Sequence, residues 1–284
     1  METGLVLEGG GMRGLFSAGV IDVMMENGIK FDGAVGVSAG AAFGCNYKSE
    51  QIGRVLRYNT RFCSDKRYSG LGCLIKTGNL YSTEFAYGDV PLKYDPFDFE
   101  TYEKNPMEFY VVCTDVNSGK PVYHKYLGRA DHGFDWIRAS ASLPLVSKIV
   151  KIDGLELLDG GMADSIPVRF FMESGYSKNV VVLTQPRGYL KKKNPLVPLI
   201  SVVYKKYPKL VEAMNVRHEM YNETLSFIEE QEALGNIFVI RPEAPLNIGK
   251  IEKNPEKLRE VYTTGRSTAE KLLPELKKWL GSPA

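Results

Sequence analysis

Histidine is scarce in this chain, three in 284 residues, and cysteine nearly so, with four. Cys45, Cys63, Cys73 and Cys113 contain no C-x-x-C pair. Zinc-ribbon and thioredoxin-like chemistry therefore lack their residues, and no metal site is expected. Few cysteines in a long chain also fit a reducing compartment. An excess of one charge is missing too: 36 basic against 34 acidic residues leave a net +2. That gives no electrostatic footprint for nucleic acid. Apolar runs stay far short of the ~18 residues that cross a membrane. The opening Met-Glu-Thr-Gly-Leu-Val-Leu-Glu has no basic stretch leading into an apolar one. No signal peptide is read, and the cytoplasm is the expected location. With no repeat, low-complexity tract or linker, residues 1–284 are read as one domain.

What is present is an ordinary globular composition, 44% hydrophobic and 25% charged. A short apolar segment, Leu5 to Leu7, runs into Gly9-Gly10-Gly11-Met12-Arg13-Gly14. A helical pattern follows and stops at Asn27-Gly28, a C-terminal signal. A second strand, Ala34 to Val37, leads straight into Ser38-Ala39-Gly40 and a small-residue helix. Strand, glycine turn, helix, strand, sharp turn, helix is how a parallel α/β sheet opens. Residues 61–106 are aromatic-rich and without a long period, an excursion over the top of the sheet. Strands are expected at 107–115 and 121–126 around Asn117-Ser118-Gly119, and at 147–152 and 155–158 around Asp153-Gly154. Phe134 to Ser142 reads as helix ending before Pro144. Asn179 to Thr184 reads as a buried strand, 196–232 as largely helical, 237–241 as a strand and 255–280 as an amphipathic helix. The expected fold is a three-layer α/β/α domain with a mainly parallel central sheet.

Three segments carry chemistry. Gly36-Val37-Ser38-Ala39-Gly40 matches G-x-S-x-G, in which a serine on a tight strand-to-helix turn is flanked by glycines whose missing Cβ atoms let the turn close. The serine hydroxyl then stands free at a helix N-terminus that favours a developing anion. Gly9 to Gly14 exposes consecutive backbone amides that can converge on an oxyanion. The same segment formally matches the dinucleotide fingerprint G-x-G-x-x-G, which calls for an acid at the end of the second strand. Asp32 has about the right spacing but precedes that strand, and Ser38 occupies its end. Asp159-Gly160-Gly161 places a carboxylate on an accessible turn, although Asp-Gly turns are common.

Together and in this order, the three segments resemble the patatin-like phospholipase family. The resemblance covers roughly residues 4–185, with a helical extension over about 196–284 that also looks like bacterial members. Ala139-Ser140-Ala141-Ser142-Leu143-Pro144 looks like the family's small-residue segment before a proline, and Glu8 stands where many members have aspartate. The resemblance implies Ser38 as nucleophile and Asp159 as its partner in a Ser–Asp dyad. It further implies Gly9, Gly10, Gly11, Met12, Arg13 and Gly14 as the oxyanion loop, Gly36 and Gly40 as the elbow glycines, and Gly160 and Gly161 as support. No cofactor is implied. The partner is a lipid or phospholipid ester, reached by peripheral contact at the inner face of a membrane.

Three histidines are alternative bases: His124 in a strand, His218 on a charged helix face and His132 in a loop, with His132 the one kept as a backup. Lys191, Lys192, Lys193, Lys205, Lys206 and Lys209 bracket an apolar segment, either a solvated face or a patch for anionic lipid. Tyr81, Phe85, Tyr87, Tyr94, Phe97, Phe99 and Tyr102 either line an acyl pocket or form a satellite core. An acyltransferase and a non-catalytic lipid-binding protein stay open as alternatives.

Overall fold

The computed structural model describes residues 2–281. Its elements begin with β1 (Glu2–Leu7), α1 (Gly14–Glu26), β2 (Gly33–Val37), α2 (Ala39–Lys48), α3 (Arg54–Phe62), α4 (Leu71–Thr77), α5 (Phe99–Lys104), β3 (Glu108–Asp115) and β4 (Pro121–Lys125). They continue with α6 (Asp135–Ser140), β5 (Val150–Ile152), β6 (Leu155–Asp159), α7 (Val168–Glu173), β7 (Tyr176–Val182), α8 (Val197–Val203), α9 (Pro208–Ala233), β8 (Ile237–Ile240) and α10 (Pro255–Gly281). Strands β3, β2, β1, β7 and β8 pair in parallel, while β4, β5 and β6 enter antiparallel.

The parallel strands read as unbroken apolar runs because both faces of the sheet are covered. Alternation along each strand divides two cores. Leu5, Leu7, Val180 and Val182 join α1, α2 and α10 on one face. Val6, Val35, Val37 and Val181 join α7 and α9 on the other. The architecture is thus the expected α/β/α sandwich with a mostly parallel sheet. Helices α1 and α10 lie backbone to backbone: a Cβ on Gly265 would come 2.0 Å from the Phe16 carbonyl oxygen. The Tyr262 hydroxyl caps the buried Asp22 carboxylate at 2.6 Å.

Strand β3 is the hub. It pairs with β2 through residues 108–112, with β4 through 110–114 and with β6 through 113–115. A strand has two edges. Both β2 and β6 overlap β4, so β2 and β6 share the opposite edge, one continuing where the other stops. Val37 lies against Val112, and Asp159 lies against Cys113, the next residue. Because β2 is parallel to β3 and β6 antiparallel, their C-terminal ends meet head to head. Ser38 and Asp159 are brought together by one backbone ladder.

The expected elements occur with ends moved by one to three residues. One difference has a clear cause. The stretch read as largely helical from 196 splits into α8 and α9, because Pro208 starts a new helix and Tyr207 before it is held out of the helical region at φ −123°, ψ 66°. Residues 61–106 contain α4, a wide helical turn over Phe85–Tyr94 and α5. Among the described residues no helix is long and apolar enough to cross a membrane.

Candidate active site

Ser38 is the last residue before α2, with φ 56° and ψ −120°. That conformation is strained for a residue with a Cβ and is what a nucleophile elbow requires. The elbow closes because Gly36 and Gly40 touch: a Cβ on Gly36 would sit 2.4 Å from the Gly40 carbonyl oxygen. The amide of Ser38 donates to Ser140 Oγ at 2.8 Å, and Ser140 Oγ donates to the Val112 carbonyl at 2.6 Å. Ser140 therefore ties the elbow to the hub strand. The small-residue run had pointed to this segment without giving Ser140 a role, because the role depends on a ladder 28 residues away in sequence.

The glycine loop lies against the elbow. A Cβ on Gly9 would be 3.1 Å from Ser38 Cβ, and one on Gly14 would be 2.8 Å from Ala39 Cβ. Gly11 adopts φ +57°, open to glycine at little cost, with the Lys250 backbone packed over it. Among the described residues no protein acceptor takes the Gly9 or Gly10 N–H. Glu8 is buried at the base of the loop. Its carboxylate accepts from Thr184 N at 2.6 Å, Thr184 Oγ at 3.1 Å and Tyr221 Oη at 2.6 Å. Its role is to anchor the loop to β7 and α9, and the longer side chain reaches both.

Asp159 ends β6 and is buried. One carboxylate oxygen, Oδ1, accepts from Gly161 N at 2.8 Å, and the other, Oδ2, has no hydrogen-bond partner. Burial raises the carboxyl pKa above the usual carboxylate range, opposed in turn by the nearby Ser38 hydroxyl, Arg217, the Gly161 amide and Lys250. The loop after Asp159 is braced by Arg217 on α9, whose Nε donates to the Gly161 carbonyl and whose Nη2 donates to Ser165 Oγ at 3.3 Å. Gly160 turns tightly against the Val112 carbonyl. Sequence reasoning gave no sign of Arg217 here, since nothing in the spacing links residue 217 to residue 161.

Ser38, Asp159, Gly11, Met12, Arg217 and Lys250 line one cavity of about 370 Å³, whose remaining wall is largely apolar. The aromatic stretch is divided. Tyr81 and Tyr87 line the cavity. Phe85 and Tyr94 pack on Phe62, and Phe97, Phe99 and Tyr102 pack together in the core. None of the three histidines belongs to the cavity wall. His124 stacks on Trp136 and pairs with Asp131 at 2.6 Å, His132 pairs with Asp153 at 2.9 Å, and His218 lies beside Glu219. The backup base His132 is thus engaged elsewhere. Nor is there an acid at the end of β2 to serve a dinucleotide, since Asp32 accepts from the Thr3 amide before the strand begins.

A parallel α/β sheet with a strained serine elbow, a glycine loop beside it and a buried carboxylate facing it defines a recognisable class of protein. The patatin-like phospholipase model matches residues 5–172, and the chain belongs to that family. A second model, a domain of unknown function (DUF6363), matches residues 207–281. The chain is 31% identical over 303 residues to the uncharacterized protein YjjU of Escherichia coli K12, covering 95% of this chain and 79% of that protein. It is 26% identical over 295 residues to lysophospholipase NTE1 of Lodderomyces elongisporus, covering 96% of this chain and 19% of that much longer relative. The crystal structure of VipD from Legionella pneumophila, 12% identical, overlays with a TM-score of 0.49 over 96% of this chain and 67% of that one.

Proposed function

We propose that the protein hydrolyses carboxylic esters of lipids through an acyl-enzyme on Ser38, with Asp159 as the base. The observation that carries this reading is the meeting of β2 and β6 on one edge of β3, which faces the Ser38 elbow with a buried carboxylate whose Oδ2 is unpartnered. In the proposed reaction Asp159 takes the Ser38 proton as Ser38 Oγ attacks the acyl carbonyl. The carbonyl oxygen becomes an anion held by amides of the Gly9–Gly14 loop, with Gly10, Gly11 and Met12 as the donors. Collapse expels the alcohol, which takes the proton from Asp159. Water then loses a proton to Asp159 and attacks the acyl carbon, and Ser38 leaves and is reprotonated. Burial supports the role of Asp159, because a free carboxyl near pKa ~4 is a weak base at neutral pH. The 26% identity to a lysophospholipase and the apolar cavity support a lipid acyl group.

The two matched segments are proposed to act as one acyl-hydrolase domain, since α1 and α10 pack backbone to backbone. Peripheral membrane contact belongs to the same reading. Leu196, just before helix α8, and Ile200 within it line the cavity, and the helix exposes Leu199, Val202 and Val203 at 51%, 70% and 56%. Exposed lysines 192, 193, 205 and 206 flank it, as an interfacial helix on an anionic surface requires. Four buried free thiols fit the cytoplasmic side of that membrane. The test is labelling with a fluorophosphonate, which reports an activated serine without knowledge of the substrate, followed by peptide mapping. The wild type should carry the label on Ser38, and Ser38→Ala should take none. A folded wild type that takes no label on Ser38 while hydrolysing lipid esters would overturn the mechanism.

A further inference from the structure

Two cations at this site, and a third within electrostatic reach of them, have no part in the reaction just described. Lys191, Arg217 and Lys250 all lie beyond residue 172, where the patatin-like match ends. Arg217 and Lys250 line the cavity that holds Ser38 and Asp159. Arg217 spends Nε and Nη2 on the Gly161 carbonyl and Ser165 Oγ, which leaves Nη1 without a protein acceptor among the described residues. The Lys250 backbone packs over Gly11, within 3.0 Å of where a Cβ would stand. Lys191 is anchored by Asn222, through a 2.8 Å bond to its amide and a 3.0 Å bond from the Asn222 side chain to its carbonyl. Its Nζ sits 3.9 Å from the centroid of the Tyr221 ring, above the hydroxyl that holds Glu8.

Among the described residues none of the three forms a salt bridge, whereas Arg57, Arg187, Arg241 and Arg266 each do. Of the two acids that act on them, Glu8 is held by three donors, and Asp159 accepts from the Gly161 amide through Oδ1. The cluster is therefore internally repulsive. Burial lowers the pKa of both Lys191 and Lys250, and Arg217 lowers each further, with Arg13 contributing. Two like charges at the wall of a cavity, with a third acting on them against that cost, are the arrangement of a site whose counter-charge arrives with a ligand. A guanidinium edge and an ammonium group lining one cavity, backed by a second ammonium, suit an anion with several oxygens rather than a lone carboxylate.

We propose that Arg217 and Lys250, with Lys191 adding charge from beyond the wall, form a phosphate subsite in the Ser38 cavity, so that the preferred ester bears a phosphate on the same molecule as its acyl group. The assignment of the acyl end rests on the reaction proposed at Ser38, and the phosphate end does not. A glycerolipid has this layout, with phosphate and ester on one three-carbon unit.

The test compares two esters of one acyl chain below their aggregation limits, 1-octanoylglycerol 3-phosphate and neutral 1-octanoylglycerol. Wild-type kcat/KM should favour the phosphate ester. In Lys250→Met and Lys191→Met the ratio of the two kcat/KM values should fall at least about tenfold, chiefly through KM of the phosphate ester. A ratio that stays put in both folded variants overturns the subsite. Calorimetry on Ser38→Ala separates the two proposals. Binding of the phosphate ester that Lys250→Met weakens about tenfold upholds the subsite even if the wild type hydrolyses neither ester, an outcome that would defeat only the reaction. Inorganic phosphate binding as tightly as the phosphate ester would make this a free-phosphate site and overturn the lipid assignment.

Discussion

The parts of the site contributed before residue 172 and those contributed after it are built in different ways. Before it, everything that touches the reacting centre is backbone or is held by backbone. The elbow closes because two glycines meet, the glycine loop offers amides, and Ser38 and Asp159 are set by neighbouring rungs of β3. After it, the contribution is side chains on helices and loops: a guanidinium, two amines and the exposed apolar face of α8. The geometry of the proposed reaction resides in the ladder, where a slip of one residue would turn Leu158 to the site in place of Asp159. The proposed recognition resides in groups that can be exchanged without disturbing that ladder. The patatin-like model covers the first kind and stops before the second.

This contrast can be broken or sharpened by substitution. The largest effect is expected at the dyad. Ser38→Ala should lower kcat by at least about 10⁴-fold, and Asp159→Asn by about 10³-fold or more, measured on any ester the wild type cleaves. The same Asp159→Asn should raise stability at pH 7 in urea titrations. The folded pKa of Asp159 is raised, so its ionised form destabilises the native state above that pKa, and the gain should vanish as pH falls through it. A dyad carboxyl held at an ordinary pKa would show no such pH-dependent gain.

Next comes the backbone itself. Gly36→Ala should cost about 3 kcal/mol or more in chemical denaturation, because its methyl would overlap the Gly40 carbonyl. Ser140→Ala should cost about 1–3 kcal/mol by orphaning the Ser38 amide and the Val112 carbonyl. If either were neutral, the picture of a backbone-built centre would fail.

Smaller effects are expected on the side-chain half. Lys191→Met should leave the fold as stable or more so, because it removes a desolvated cation held among Arg13, Arg217 and Lys250 and against Tyr189, Tyr221 and Glu8. In the wild type, KM for a phosphate ester should rise as pH passes upward through about 8, where Lys191 loses its proton, and Lys191→Met should flatten that rise. Smallest of all, Leu199→Ser with Val202→Ser should weaken binding to phosphatidylglycerol vesicles by roughly tenfold. Turnover of a monomeric ester should change less than about twofold, since neither residue lines the cavity.

The same division governs what could be read in advance. The elbow, the glycine loop and Asp159 were legible because glycine spacing records a backbone shape, and backbone shape is local. The strands and helices were legible for the same reason, through their periods and turn residues. The sharing of one edge of β3 by β2 and β6 was not legible, because pairing between residues 42 or more apart leaves no periodic trace. Arg217 and Lys250 were invisible as site residues for that reason. The aromatic stretch was legible as apolar mass but not in its division, which depends on which rings the wide turn over Phe85–Tyr94 faces inward.

The contact between α1 and α10 bears on when the site comes into being during synthesis. The glycine loop and Ser38 are made within the first 38 residues, yet β1 lies between β2 and β7, and α1 is pressed against residues 255–281. At ~5–20 residues per second, roughly 10–50 s separate Ser38 from the helix that completes its support. A ribosome-bound chain therefore carries the nucleophile without its finished surroundings. The closing helix acts as a timer, and the surroundings of Ser38 are finished with residues 255–281 rather than with the serine.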